Sequence, residues 1–199
     1  MVFETVTSAE AALDRRIVDA TLTLIARYGL AKLTVDDVAR GAGCSRATLY
    51  RYYPGKQAVL AAVVAAETAR LTAGLDEALA GVATLEEALS AAAGFGSREF
   101  AGHRALQFLL AHEPGSVLPH LCFAGADRLL VMVSEAVAPH LGRFLPTLAA
   151  RRAGEWLARI ILSYGCTPPS DPGAGEAAVL DIVSDFVAPA VRASEEPHA

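Results

Sequence analysis

The 199-residue chain is predicted to be an all-α protein of about nine helices. Three observations predict this. Alanine and leucine dominate a composition that is 53% hydrophobic and only 20% charged, enough to build a sizeable helical core. β-Branched residues are scattered singly and nowhere alternate over a strand's length. Apolar residues instead recur three and four apart, in segments punctuated by glycine and proline.

The first helix is expected from about Ser8 or Glu10 to Tyr28, with Ile17, Leu24 and Tyr28 as a buried stripe around Ala20 and Thr21. Gly29 suits the position after it, where a left-handed backbone is common. Thr34 can cap a second helix whose first turn holds Asp36 and Asp37, and that helix runs to about Ala42. Gly43 breaks it. Ser45 caps a third helix from Arg46 to Tyr53, which Pro54 stops by lacking a backbone donor. A long helix from Gly55-Lys56 to about Leu79 follows.

Thr84-Leu-Glu-Glu87 is a capping box for a fifth helix reaching Phe95 or Phe100. Further helices are expected at about Gly102–His112, Pro119–Pro139, Pro146–Tyr164 and Gly175–Val191. The first of these ends before Glu113-Pro-Gly115, and Thr167–Gly173 reads as a turn-rich connection.

Net charge is −5, but it is unevenly spread. Residues 1–56 hold eight basic against six acidic residues, and residues 57–199 hold nine against sixteen. A mildly basic head on an acidic body suits local contact with DNA while the rest is repelled. The charge asymmetry divides a head at 1–56 from a body at 57–199.

Cys44, Cys122 and Cys166 are widely spaced, form no Cys-x-x-Cys pair, and read as reduced, small apolar filler residues. Cys44, beside Ser45 and Arg46, carries redox sensing as its weaker reading. The start of the chain lacks the pattern of a secretion signal. The longest uncharged apolar run, Ala58–Ala66, is far shorter than a membrane span. A cytoplasmic protein without a membrane partner is expected.

Two short helices joined by a glycine-containing turn form either a helix-turn-helix or an ordinary packed pair. Val35, Val38, Ala39, Leu49 and Tyr53 would build its small core. The free face of the third helix then carries Arg46, Ala47, Thr48, Tyr50, Arg51 and Tyr52. Arginines and hydroxyls of this kind grip phosphates and reach base edges. Thr34 and Ser45 sit at helix N-termini that favour phosphate oxygens, and Lys56 can contact another phosphate. Arg51 has two readings, a phosphate contact or a solvated surface charge.

The stretch Ile17–Val64, above all Thr34-Val-Asp-Asp-Val-Ala-Arg-Gly-Ala-Gly-Cys-Ser-Arg-Ala-Thr-Leu-Tyr-Arg-Tyr-Tyr-Pro-Gly-Lys56, resembles the DNA-binding head of the TetR (tetracycline repressor) family. The match covers about a quarter of the chain. It departs in Tyr53, where phenylalanine is more usual, and in Gly55. The resemblance implies a three-helix DNA-binding domain at 1–56, a helical ligand-binding and dimerisation domain at 57–199 with an inducer pocket, and a homodimer that binds near-palindromic operator DNA. It places Thr34, Ser45, Arg46, Thr48, Tyr50, Tyr52 and Lys56 on DNA, mostly on phosphates, with Ala47 and Thr48 where base edges are read. Repression is the default it implies, with activation the alternative; a small apolar effector is expected to relieve repression.

Beyond about residue 75 the resemblance identifies no ligand. From the helix stripes, Phe95, Phe100, Phe108, Leu109 and Phe123 are candidate pocket residues, with His103, Gln107 or His112 as polar anchors. The same aromatics serve equally as plain core. Four histidines, His103, His112, His120 and His140, have no metal-binding spacing, so neither metal nor cofactor is expected.

The last two long helices carry stripes, Leu148, Trp156, Leu157, Ile160, Ile161 and Val179, Ile182, Val183, Phe186, Val187. The resemblance implies that such a pair packs against its copy, with Ala149, Ala153 and Gly154 permitting close approach. No nucleophile elbow, phosphate loop or catalytic triad stands in recognisable context, so no enzyme is expected.

Overall fold

A computed structural model describes residues 2–122, 125–167 and 175–193, with side chains from Glu10 onward. Among the described residues the ordered elements are helical and no strand occurs. They are α1 Val2–Tyr28, α2 Val35–Gly41, α3 Arg46–Tyr52, α4 Lys56–Ala78, α5 Leu85–Gly102 and α6 Arg104–His112, followed by α7 Pro114–Leu121, α8 Ala126–Leu141 and α9 Thr147–Cys166. The last segment is α10 Gly175–Ile182, a π-helical turn Val183–Val187, and α11 Ala188–Ala193.

The chain divides into two compact units, residues 1–70 with 104–116, and residues 71–103 with 117–199. In the first, Leu13, Ile17, Ile25, Leu33, Val38, Ala39, Leu49, Val59 and Ala105 form one core. Thr21 is buried on the same stripe of α1, its hydroxyl satisfied by donating to the Ile17 carbonyl at 2.7 Å. Tyr28 does not join the expected stripe. It is 46% exposed, with the Arg27 guanidinium 5.1 Å above its ring, and Ile25 takes its place.

In the second unit α5, α8, α9 and α10 pack around Leu79, Leu89, Leu141, Leu157, Val179 and Val183. The capping box of α5 is formed: the Glu87 N–H donates to Thr84 Oγ1 at 3.2 Å, and Glu87 Oε2 accepts from the Thr84 N–H at 3.3 Å. α8 and α9 approach closely because Gly154 has no side chain; a Cβ there would sit 3.2 Å from Ser134 Cα. Gly154 and Ala153 thus serve α8 and the core of their own chain.

The later helices depart from expectation in places. α6 ends at His112 as expected, but the next helix opens at Pro114, where a missing N–H costs nothing, and the expected Pro119–Pro139 helix is instead two, α7 and α8. Gly165 does not end α9, and the Phe100 ring packs where its side chain would be. The π turn precedes Pro189, and the Ala188 N–H donates five residues back to Val183. A proline interrupts regular i to i−4 pairing, which accounts for the irregular turn there. The expected Thr167–Gly173 connection lies, beyond Thr167 itself, outside the described residues.

The 23-residue α4 has the length and apolar character of a membrane span, which its short uncharged runs did not suggest. It nevertheless carries an ion pair near its middle, Arg70 Nη2 to Glu67 Oε2 at 3.0 Å.

Candidate DNA-binding interface

Local chemistry sets the two short helices. Thr34 has an extended backbone and its Oγ1 accepts from the Asp37 N–H at 3.2 Å. The Thr34 hydroxyl donates in turn to Asp37 Oδ2 at 2.5 Å, and Arg40 Nη1 donates to Asp37 Oδ1 at 2.8 Å. The Thr34 bond is foremost and, with Arg40 adding to it, holds the Asp37 carboxyl below its ordinary pKa against the opposing effect of desolvation, which exceeds either Arg40 contribution. Ser45 repeats the device, its Oγ accepting from the Thr48 N–H at 3.0 Å and lying 2.8 Å from the Thr48 hydroxyl. Between the helices Gly43 takes φ +65°, where its N–H can reach Arg40 at 3.2 Å.

Leu49 is fully buried and anchors α3 on the core of the first unit. The opposite face is free: Arg46, Ala47, Tyr50 and Arg51 are exposed, while Thr48 and Tyr52 are half-buried. Arg46 grips Asp36 through Nε at 3.1 Å and Nη1 at 3.1 Å, and its guanidinium lies 5.3 Å above the Tyr50 ring. Its contact with Tyr50 and then the Asp36 charge push its already high pKa further up. Arg51 stacks 5.1 Å over Tyr52, whose hydroxyl donates to Glu10 at 3.2 Å. Tyr53, half-buried in the small core, has its hydroxyl pKa raised by burial and then by Asp14.

Two further residues shape the head from a distance in sequence. Lys56 is half-buried, and its Nζ donates to the Leu30 carbonyl at 2.6 Å. From the end of α6, the Glu113 carboxylate accepts the Leu30 N–H at 3.0 Å and the Ala31 N–H at 3.1 Å. Gly29 makes this possible: it takes φ +84°, and a Cβ there would stand 2.0 Å from Glu113 Oε1. The loop from α1 to α2 is therefore held on both sides. Glu113 was missed from sequence because its partners lie more than 80 residues earlier. A cleft of about 460 Å³, lined by Leu24, Tyr28, Lys32, Leu33, Asp37, Arg40 and Gly41, opens on the same unit.

The candidate ligand residues fall in both units. Phe95 and Phe100 are half-buried on α5, in the second unit, with the Phe95 ring filling the space above Gly74; His103 caps the same helix. Gln107, Phe108 and His112 lie on α6, in the first unit. There the Phe108 and His112 rings stack with centroids 4.3 Å apart. Phe123 lies outside the described residues.

The candidate dimer residues also divide. Ala153, Leu157, Val179 and Val183 are buried in their own protomer's core, which leaves them almost no surface to offer a second copy. Trp156 is 62% exposed and Phe186 69%, with Ala149, Ile160, Ile161 and Ile182 half-buried. No group of three or more metal-ligating side chains occurs among the described residues.

Two capped short helices, a small core beneath them and an outward face rich in arginine and tyrosine define a helix-turn-helix DNA-binding module. The family described as bacterial regulatory proteins, tetR family, matches residues 17–63. The HTH-type transcriptional regulator Rv1255c of Mycobacterium tuberculosis is 31% identical over 184 residues, covering 91% of this chain and 88% of that protein. The chain belongs to the tetR family and is a transcriptional regulator, not an enzyme.

Solved structures share the fold. The TetR family repressor AlkX of Dietzia sp. superposes with a TM-score of 0.65 at 23% identity, over 89% of this chain and 96% of that one. The transcriptional regulator FadR of Bacillus subtilis, in complex with stearoyl-CoA, superposes with a TM-score of 0.58 at 18% identity, over 85% of this chain and 96% of that one.

Proposed function

We propose that the chain is a ligand-responsive repressor, cytoplasmic, that binds a near-palindromic operator as a homodimer and leaves it when a small apolar effector binds. Residues 1–56 are the DNA-binding head in this reading, and residues 57–199 the body that takes the effector and the second copy. The observation that carries it is the exposed face of α3, where Arg46, Ala47, Tyr50 and Arg51 stand clear of the core.

In the bound state α3 enters the major groove, Ala47 and Thr48 approach base edges, and Thr34, Ser45, Tyr50 and Tyr52 contact phosphates or their approaches. Arg46 trades part of its Asp36 pairing for phosphate. Lys56 need not release Leu30, since an ammonium has three donors. Two copies of α3 would address half-sites about 34–36 Å apart. The same fold holds stearoyl-CoA in FadR, which makes an acyl chain the first ligand class to test for the half-buried Phe95 and Phe100. Release follows only if the effector binds the DNA-competent and incompetent states with different affinity.

The test is a footprint of the full chain on DNA surrounding its own gene, at low and physiological salt, beside a random duplex pool. A protected near-palindrome that weakens with salt and is lost in the Tyr50→Phe, Lys56→Ala double variant supports the reading. Failure to bind any duplex, including the pool, overturns it.

A further inference from the structure

We propose that Cys122 and Cys166 are a reversible two-electron redox site in the second unit, oxidised by hydroperoxides to an intramolecular disulfide. Cys122 directly follows α7 and Cys166 ends α9. They are 44 residues apart in sequence, yet the Cys122 thiol donates to Cys166 Sγ at 3.5 Å. A disulfide requires about 2.05 Å, so the two sulfurs need to approach by only about 1.5 Å. Their sequence-based reading as unrelated filler residues does not account for this pairing. Cys122 is exposed, a poor place for a side chain whose value is apolar packing.

The two thiols have different surroundings, and these divide the chemistry. Cys122 is accessible to an oxidant, whereas Cys166 is half-buried. Burial, and then Cys122 beside it, push the Cys166 thiol up to about 11, which together with its lower exposure leaves Cys122 the first of the two to meet the oxidant. Cys122 sulfur attacks the terminal oxygen of the hydroperoxide: an S–O bond forms, the O–O bond breaks, and the alkoxide leaves with the thiol proton as an alcohol. Cys166 sulfur then attacks the sulfenic sulfur of Cys122. An S–S bond forms, the S–O bond breaks, and hydroxide leaves with the Cys166 proton as water. Two thiols and one hydroperoxide become one disulfide, one alcohol and one water. The bond ties the end of α7 to the end of α9, and a cellular thiol reverses it by exchange.

Cys44, in the first unit, has neither cysteine as its hydrogen-bonding neighbour and serves as an internal control. The experiment treats the reduced, full-length protein with an equimolar amount of cumene hydroperoxide, then alkylates free thiols and maps peptides by mass. The expected product lacks two hydrogens, yields a cross-linked peptide joining Cys122 to Cys166, leaves Cys44 alkylated, and reverts with dithiothreitol. In Cys166→Ser, Cys122 should stop at a sulfenic acid that dimedone traps; in Cys122→Ser, Cys166 should remain alkylatable. Oxygen adducts without the cross-link in the wild-type chain overturn the proposal. So do a disulfide between two chains and three unreacted thiols. The readout does not depend on DNA binding, so its failure is distinct from failure of the repressor reading.

Discussion

At the scale of single residues, two glycines with similar backbones separate two kinds of cost. Gly29 and Gly43 both take positive φ, but only Gly29 is also crowded, by the Glu113 carboxylate and the Phe108 ring. Gly43→Ala should lower stability by about 1 kcal/mol from backbone strain alone. Gly29→Ala should cost about 3 kcal/mol, since it adds displacement of Glu113 from the Leu30 and Ala31 N–H groups to the same strain. Urea unfolding of both variants measures the difference, and equal losses would show that the Glu113 contact contributes little. Asp37 gives a prediction with a sign. Its folded pKa lies below the ordinary 3.8, so it stabilises the fold above that pH, and the stabilisation is lost as pH falls through the depressed value. Asp37→Asn should therefore be less stable than wild type at pH 7, and the two unfolding midpoints should converge in acid.

Individual elements differ in how far the sequence discloses them. The caps of α2, α3 and α5 were legible because Thr34, Ser45 and Thr84 each bond a backbone N–H three residues away, a pattern confined to one turn. α7 was hidden because Pro-Gly reads locally as a turn, while Pro114 in fact occupies a first helical turn. The hold on the loop between α1 and α2 was hidden for a different reason: the Glu113 bonds exist only after α6 has packed on α1. Glu113→Ala should leave the Leu30 and Ala31 N–H groups without their acceptor. Their hydrogen exchange should accelerate roughly tenfold or more, for a bond to a charged group contributing about 1.5–3 kcal/mol. Exchange read residue by residue, with the α2 amides of Val38 and Ala39 as reference, checks this. Unchanged protection at Leu30 would mean that Lys56 on the Leu30 carbonyl suffices to order the loop.

At the scale of the whole molecule, the all-α fold and the family followed from composition, caps and one contiguous motif, whereas the surface left for a second copy did not. Helical periodicity places Trp156 beside Leu157 on α9 without saying which turns inward. The structure buries Leu157 and leaves Trp156 and Phe186 as large aromatic surfaces in water. Leu148, two turns before Trp156 and 62% exposed, extends the same side of α9. Exposed aromatics of this size on neighbouring C-terminal elements are what a covered interface leaves when one protomer stands alone. The double variant Trp156→Glu, Phe186→Glu should fold as stably as wild type within about 1 kcal/mol, since neither side chain contributes to the core. If the proposed homodimer forms through these aromatics, sedimentation equilibrium should find dimers for wild type and monomers for the variant, because burying two carboxylates against their copies is prohibitive without partners. Operator affinity should fall much more than the loss from one half-site contact, while binding to a single half-site persists. A variant that remains dimeric would move the interface elsewhere on the second unit and leave the two aromatics to another role.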